Sequence, residues 1–261
     1  MKKNALVVLM YHRLGEGGPG REPGEEIYTV REESFASQIQ HLVDHGHSVR
    51  SLQQVVSEPC PDAGSGGVTL TFDDGSHSDI AVAAPILARS GLHATFFVTP
   101  AWIGSPGFMD WADVRELQRL GMTVGAHGLD HSPLGSLPEA DLRRHLRDAR
   151  RDIASRIGSD VSVLSLPGGA GGAREWNAAR EEGFRIVAGS VPRRLRAGRT
   201  LGIVPRYAVR RADAPGHVGA LVDQQPGALL AAWSRYVVLR VLRRTLGEAR
   251  YQRLRGRRDG S

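Results

Sequence analysis

The sequence predicts an α/β protein built around a parallel sheet or barrel. Short apolar runs alternate with segments of helical period, and glycines such as Gly91, Gly121 and Gly183 stand where a helix would end before the next strand. This alternation is typical of successive βα units. Functional groups in such folds gather at the carboxyl ends of the strands. The chain has 261 residues, which fits one large α/β domain.

Seven apolar runs have the length of strands, and five segments between them have the period of helices. The predicted strands are Ala5–Met10, Val68–Phe72, Ala94–Val98, Thr123–Ala126, Val161–Leu166, Arg185–Ala188 and Ile203–Val209. The predicted helices are Glu33–Asp44, Asp79–Arg89, Trp111–Arg119, Glu139–Ile157 and Arg174–Glu182. We expect the α/β domain to span residues 1–225 and a basic C-terminal helix and tail to span residues 226–261.

The first predicted strand lies in a stretch, MKKNALVVLMYHRL, that has the two lysines and apolar run of a signal peptide. The run Ala5–Met10 is shorter than a typical signal-peptide core, and Tyr11, His12 and Arg13 follow it without a cleavage site of small residues. We therefore interpret the run as a core strand. The expected location is cytoplasmic, with membrane association as a further expectation.

The net charge of +6 is unevenly distributed. Residues 193–261 contain 16 Lys and Arg against 4 Asp and Glu, whereas the rest of the chain is acidic. Such a basic end indicates an anionic partner, or it is a solvated tail. Ala228–Arg244 is predicted to be a last helix packed on the domain or an interfacial helix on an anionic membrane. Nucleic acid is not an expected partner because no groove-reading motif accompanies the charge.

Two pairs of polar residues follow predicted strands. Asp73 and Asp74 come directly after Val68–Phe72, and adjacent carboxylates near a core are costly unless something compensates them. His127 and His131 follow Thr123–Ala126 at a spacing of four, which can bring two imidazoles to one metal. Because both pairs follow strands, the sequence favours a His2Asp metal site in which one Asp ligates and the other acts as a base.

These motifs resemble a known family. TFDDG (Thr71–Gly75) and HGLDH (His127–His131) are similar to the motifs of polysaccharide deacetylases of the NodB-homology type, carbohydrate esterase family 4. The resemblance covers roughly residues 5–209. It implies a distorted (β/α) barrel of about seven parallel strands that removes N-acetyl groups from an amino-sugar glycan.

The resemblance also implies a role for each motif residue. Asp73 would be the general base, and Asp74, His127 and His131 would bind a divalent metal. Zinc is the first expectation, with cobalt, nickel and manganese as alternatives. Without a signal peptide, a cytoplasmic or membrane-apposed glycan precursor is the expected substrate.

The sequence departs from the family pattern at several positions. Gly128 stands where Ser or Thr is usual. Ser165, in SLPGGAGG, replaces the arginine that orients the base, so Arg206 becomes a candidate for that role. The backbone N–H of Gly168 or Gly169 could still face the oxyanion.

The late histidine motif of the family is absent, and His12 is a candidate to replace it as general acid. The stretch LVVLMYHRL resembles the opening strand of circularly permuted members, in which a first-strand histidine takes that role.

Other functions remain open at this point. The lost arginine and late histidine favour a non-catalytic carbohydrate-binding homologue. A deacylase for a non-sugar amide is a further alternative, as is a glycosidase, which would need a second acid such as Asp110 or Asp113. Trp102 and Trp111 either stack on sugar rings or belong to the core.

Overall fold

A computed structural model describes residues 5–16, 25–57, 67–196 and 202–246. Seven parallel strands form one curled sheet in the order β10-β1-β4-β5-β6-β7-β8. They are β1 (Ala5–Tyr11), β4 (Val68–Phe72), β5 (Thr95–Val98), β6 (Thr123–Ala126), β7 (Val163–Ser165), β8 (Ile186–Ala188) and β10 (Tyr207–Ala208). The predicted barrel class is confirmed. Three short strands lie outside this parallel series: β2 (Arg13–Leu14), β3 (Thr29–Val30) and β9 (Leu195–Arg196).

Helices surround the sheet and cover its core. They are α1 (Glu32–Asp44), α2 (Leu52–Ser57), α3 (Ala84–Arg89), α4 (Trp111–Arg119), α5 (Glu139–Ile157), α6 (Ala173–Glu181), α7 (Pro215–Val222) and α8 (Pro226–Leu246). Every residue of β1 and β4 is buried, as expected for strands of a sheet covered on both faces.

The register of the strands brings the polar residues that follow them to one edge of the sheet. Tyr11 pairs with Phe72, so the residues after β1 and β4 emerge side by side, and the Asp73 N–H donates to the Tyr11 carbonyl at 3.0 Å. Two strands further along, the His127 N–H donates to the Val98 carbonyl at 2.8 Å. The carboxyl ends of β1, β4 and β6 therefore meet at one mouth of the barrel.

A short segment closes the barrel between its two edge strands. Val204 pairs with Ala188 of β8, whereas Tyr207 pairs with Leu9 of β1. The predicted strand Ile203–Val209 is therefore too long, because the chain leaves one edge strand for the other within a few residues. Arg206 lies between these two pairings and is fully buried.

The remaining corrections are local. The predicted helix Asp79–Arg89 begins as a π-helical turn, Asp79–Ala83, and becomes α-helical only in α3. Helices α2 and α7 have no counterpart in the predicted elements. The predicted C-terminal helix is present as α8, and the predicted tail after Leu246 lies outside the described residues. Over the described ranges, no helix is long and apolar enough to cross a membrane.

Candidate active site and metal centre

A cavity of about 670 Å³ opens at the carboxyl end of the barrel. Five residues whose side chains were predicted to be functional line it: His12, Asp73, Asp74, His127 and His131. They come from three different strand ends, so the sheet brings together residues that are more than 100 positions apart.

Asp73 is held by a buried arginine. Arg206 donates from Nη1 to Asp73 Oδ1 at 2.7 Å and from Nη2 to Asp73 Oδ2 at 2.8 Å, and both side chains are buried. Burial alone would raise the pKa of Asp73, but the Arg206 guanidinium and His127 hold that pKa well below its usual range. Asp73 is therefore an ionised carboxylate with a fixed orientation. Arg206, the sequence candidate for orienting the base, is thus the residue that pairs with Asp73.

Arg206 is itself fixed by neutral acceptors. Its Nε donates to the Gly189 carbonyl at 2.7 Å and its Nη1 to Thr71 Oγ1 at 3.1 Å. Together with an Nη2 bond to Ser165 Oγ, these bonds satisfy the three guanidinium donors that Asp73 leaves over, as a buried cation requires.

Ser165 connects Asp73 to His127. Its hydroxyl donates to Asp73 Oδ2 at 3.1 Å and accepts from Arg206 Nη2 at 2.7 Å, while its carbonyl accepts from His127 Nδ1 at 3.0 Å. The residue that replaces the family's arginine thus leaves room for Arg206 and takes part in the same network.

Asp74, His127 and His131 place their ligand atoms within 4.8 Å of one another. Because His127 Nδ1 donates to a carbonyl, its Nε2 carries the lone pair, 3.3 Å from Asp74 Oδ1. His131 Nε2 lies 3.8 Å from the same oxygen. Asp74 Oδ1 is buried without a hydrogen-bond partner among the described residues. Acceptor atoms that face each other in this way fit a divalent cation between them.

The backbone around this triad is unusual. Asp74 has a φ of 82° and His131 a φ of 67°, a region that side chains other than glycine rarely adopt. Strain of this kind is found where a surrounding structure needs a side chain in one place. Here it points two ligand side chains at a common position.

A histidine that the sequence analysis missed supports the loop between the two metal-ligand candidates. His145 of α5 accepts from the Leu129 N–H through Nε2 at 2.8 Å. Gly128 has a φ of 70°, and a Cβ there would lie 3.2 Å from His145 Nε2 and 3.0 Å from Pro167. Glycine at this position therefore gives His145 access to the loop.

His12 follows β1 at the cavity wall. Its ring stacks on Tyr28 at a centroid distance of 4.8 Å, and its Nδ1 is buried without a hydrogen-bond partner in the described part of the chain. Burial lowers the pKa of His12, and the carboxylates of Asp74 and Asp73 partly oppose that shift. A histidine in this position can exchange a proton with a bound molecule.

Gly168 and Gly169 lie at the cavity wall in a turn after β7. The Gly169 N–H donates to the Leu166 carbonyl at 2.7 Å, so it is not available for an oxyanion. This leaves Gly168, whose φ of 65° needs glycine, as the backbone donor of the predicted pair.

Comparison with known proteins agrees with this geometry. Residues 61–187 match the family model for polysaccharide deacetylase. The chain carries a polysaccharide deacetylase domain. A Bacillus subtilis protein, YxkH, named as a polysaccharide deacetylase, is 24% identical over 84% of this chain and 75% of its own length.

Solved structures show the same fold. IcaB from Ammonifex degensii is 25% identical with a TM-score of 0.70, covering 85% of this chain and 98% of its own. The Streptococcus pyogenes deacetylase PplD, solved with acetate, is 19% identical with a TM-score of 0.72, covering 82% of this chain and 96% of its own.

The deacetylase domain has a further buried acid near its site. Asp79 is fully buried, and neither carboxyl oxygen has a hydrogen-bond partner within the described ranges. Burial, followed by the neighbouring Asp74 and Asp73, raises the pKa of Asp79 well above its usual range. Burial therefore favours the protonated form of this carboxyl.

Several sequence candidates have other roles in the deacetylase domain. Asp110 caps α4 and Asp113 completes the capping box, so neither is the second acid of a glycosidase. Trp102 is buried with its ring 4.7 Å from that of His131, and Trp111 lies under the Arg156 guanidinium. Neither tryptophan lines the cavity.

Helix α8 forms one wall of the cavity, which the sequence did not indicate. Arg235, Tyr236, Leu239 and Arg240 line the cavity from this helix. Cationic and aromatic side chains of α8 therefore face the cavity on the side opposite the barrel.

Proposed function

We propose that the protein hydrolyses N-acetyl groups of an amino-sugar glycan with the help of a divalent metal. The observation that carries this proposal is the separation of roles among adjacent carboxylates: Asp73 is paired with Arg206, whereas Asp74 faces His127 and His131. One carboxylate is thus reserved for proton transfer and the other for a cation.

In the proposed reaction, Asp73 accepts a proton from the water that attacks the acetyl carbonyl carbon. The Gly168 N–H faces the developing oxyanion, and His12 delivers a proton to the nitrogen as the carbon–nitrogen bond breaks. The products are acetate and a free amine. A carboxylate as acidic as Asp73 takes a proton only from strongly activated water, and lowering the pKa of water is the chemistry that a divalent cation supplies.

We propose zinc as the metal, held by Asp74, His127 and His131. Two histidines and one carboxylate with open positions suit zinc, and they also accept cobalt, nickel or manganese. The hydrogen bond from His127 to the Ser165 carbonyl fixes the tautomer that ligates.

The alternative of a non-catalytic homologue loses its main argument. It rested on Ser165 in place of an orienting arginine, and Arg206 makes that contact from another part of the chain. A glycosidase is not favoured because Asp110 and Asp113 cap a helix.

We also propose that the substrate lies close to an anionic membrane. Helix α8 lines the cavity with one side and exposes five apolar residues on the other. At helical spacing these exposed residues form one stripe: Leu230, Val237, Val238, Val241 and Leu242. With the basic segment 193–261, such a helix is suited to lie on a cytoplasmic membrane surface and to receive a membrane-apposed glycan.

The catalytic proposal is tested with Asp73→Asn, using zinc content and acetate release from N-acetylglucosamine oligomers as readouts. The variant should keep its zinc and lose about 10²–10⁴-fold in turnover, the usual contribution of a general base. Asp74→Asn, the matched control, should also lose the zinc ion that Asp74, His127 and His131 hold. Near-wild-type turnover by Asp73→Asn would contradict the assigned roles.

The membrane proposal is tested by co-sedimentation with vesicles of phosphatidylglycerol and of phosphatidylcholine. Val238→Glu combined with Val241→Glu should reduce binding to the anionic vesicles. Val43→Glu is the control, because Val43 is a similarly exposed valine on α1. Equal binding by all three proteins would refute the role of α8.

A further inference from the structure

A second group of metal-binding side chains lies where α1 meets α7, outside the cavity. His41 belongs to the last turn of α1, His47 follows the end of that helix, and Asp223 is the C-terminal capping residue of α7. Their ligand atoms all lie within 4.8 Å of one another. The sequence analysis did not connect them, because Asp223 is far from the histidines along the chain.

The distances fit a bound ion. His47 Nε2 is 3.1 Å from Asp223 Oδ1, and His41 Nε2 is 3.9 Å from Asp223 Oδ2. Two ligands at about 2.1 Å from a tetrahedral ion are about 3.4 Å apart, and the two observed distances lie on either side of that value.

The two imidazole nitrogens of this group are enclosed. Nε2 of His41 and Nε2 of His47 are both buried, and neither has a well-directed hydrogen bond within the described residues. The side chains are only 26%, 15% and 30% exposed for His41, His47 and Asp223. Buried imidazole nitrogens beside a carboxylate, without directed hydrogen bonds, are the donor set of a site for zinc or a similar ion.

Helix α7 has a glycine, Gly219, where the His41 ring lies against it. A Cβ at Gly219 of α7 would lie 2.9 Å from His41 Nε2, so glycine lets the ring lie against the helix without being displaced. The site thus uses the close approach of α1 and α7.

We propose that His41, His47 and Asp223 bind a Zn²⁺ ion that fastens α7 to α1. Because α7 leads directly into α8, the ion would fix the helix that forms the outer wall of the cavity. The ion is structural, and water completes its coordination.

The test is a zinc titration of metal-stripped protein against a chromophoric chelator. The wild type should bind one ion at each of the two groups, and His47→Gln and Asp223→Asn should each bind one ion fewer. His93→Gln is the matched control: His93 belongs to neither group, is half-buried, and its Nδ1 bonds to a backbone carbonyl. His47→Gln and Asp223→Asn should both keep deacetylase turnover within twofold of wild type, because neither His47 nor Asp223 lines the cavity.

A second measurement separates this site from the catalytic one. In an Asp74→Asn background the remaining zinc should still raise the unfolding temperature, and adding His47→Gln should abolish that increase. The proposal is overturned if His47→Gln and Asp223→Asn match the wild-type stoichiometry, or if Asp74→Asn alone removes all bound zinc. Circular dichroism checks folding, and His41→Gln replaces any variant that fails to fold.

Discussion

Replacing Arg206 by methionine tests the network that fixes the base. The change removes five hydrogen bonds of a fully buried guanidinium and leaves the Asp73 carboxylate buried without its cation. Breaking one side of a buried ion pair costs about 3–5 kcal/mol in the free energy of unfolding. In a chain of this size, that corresponds to a decrease of about 6–20 °C in the unfolding temperature.

Two controls distinguish the pairing from a general loss of packing. Adding Asp73→Asn to Arg206→Met should restore part of the lost stability, because no buried charge is then left unpaired. Arg144→Met removes an exposed arginine that pairs with Asp141, and it should cost less than about 1 kcal/mol.

We expect Arg206→Met also to change how stability and turnover depend on pH. In the wild type the lowered pKa of Asp73 contributes stability above its unfolded value of 3.8, and this contribution is lost as the pH falls through the folded pKa. Without Arg206, burial dominates and raises the pKa, so stability instead falls as the pH rises and the acid limb of turnover moves to higher pH. Thermal scans and acetate release between pH 4 and 9 measure both effects. This range of about five pH units is wide enough to detect a change in the pKa of a carboxyl group. An unfolding temperature and pH profile like those of the wild type would refute the reasoning.

Substitutions at three further residues have defined outcomes. His145→Gln should retain zinc because an amide oxygen can still accept from Leu129, whereas His145→Ala should weaken zinc binding about 10–100-fold, as measured by chelator competition. In metal-free protein the pKa of Asp79 is raised in the folded state, so this residue destabilises the fold as the pH rises above its unfolded pKa. Asp79→Asn should therefore have a higher unfolding temperature than the wild type at pH 8 but not at pH 4, which is roughly the ordinary aspartate pKa. Equal differences in unfolding temperature at both pH values would contradict this. His12→Asn should keep its zinc and lose turnover by about 10²–10⁴-fold, and full turnover would exclude the acid role.

The strand ends were predictable because their signals are local. An apolar run followed by Asp73 and Asp74, or by His127, indicates a strand. It also indicates that the polar residues after the run lie at the carboxyl edge of the sheet. The register between β1 and β4 then brings His12 beside the aspartates, as the barrel prediction implied.

The contacts that complete the site depend on tertiary structure. Arg206 reaches Asp73 from 133 positions away, and its segment was predicted as an ordinary strand although it crosses between two edge strands. Ser165 was interpreted only as a lost arginine, because a sequence cannot show that a smaller side chain makes room for another. The pairing of His47 with Asp223 was missed for the same reason: α7 has a weak periodic pattern, and its docking on α1 is not encoded locally.

The most direct test of the deacetylase proposal is acetate release from N-acetylglucosamine oligomers before chelation, after chelation, and after zinc or cobalt is restored. We predict that release stops when the metal is removed and returns when it is restored. Release that continues undiminished in fully stripped protein would contradict the metal-dependent mechanism at Asp74, His127 and His131.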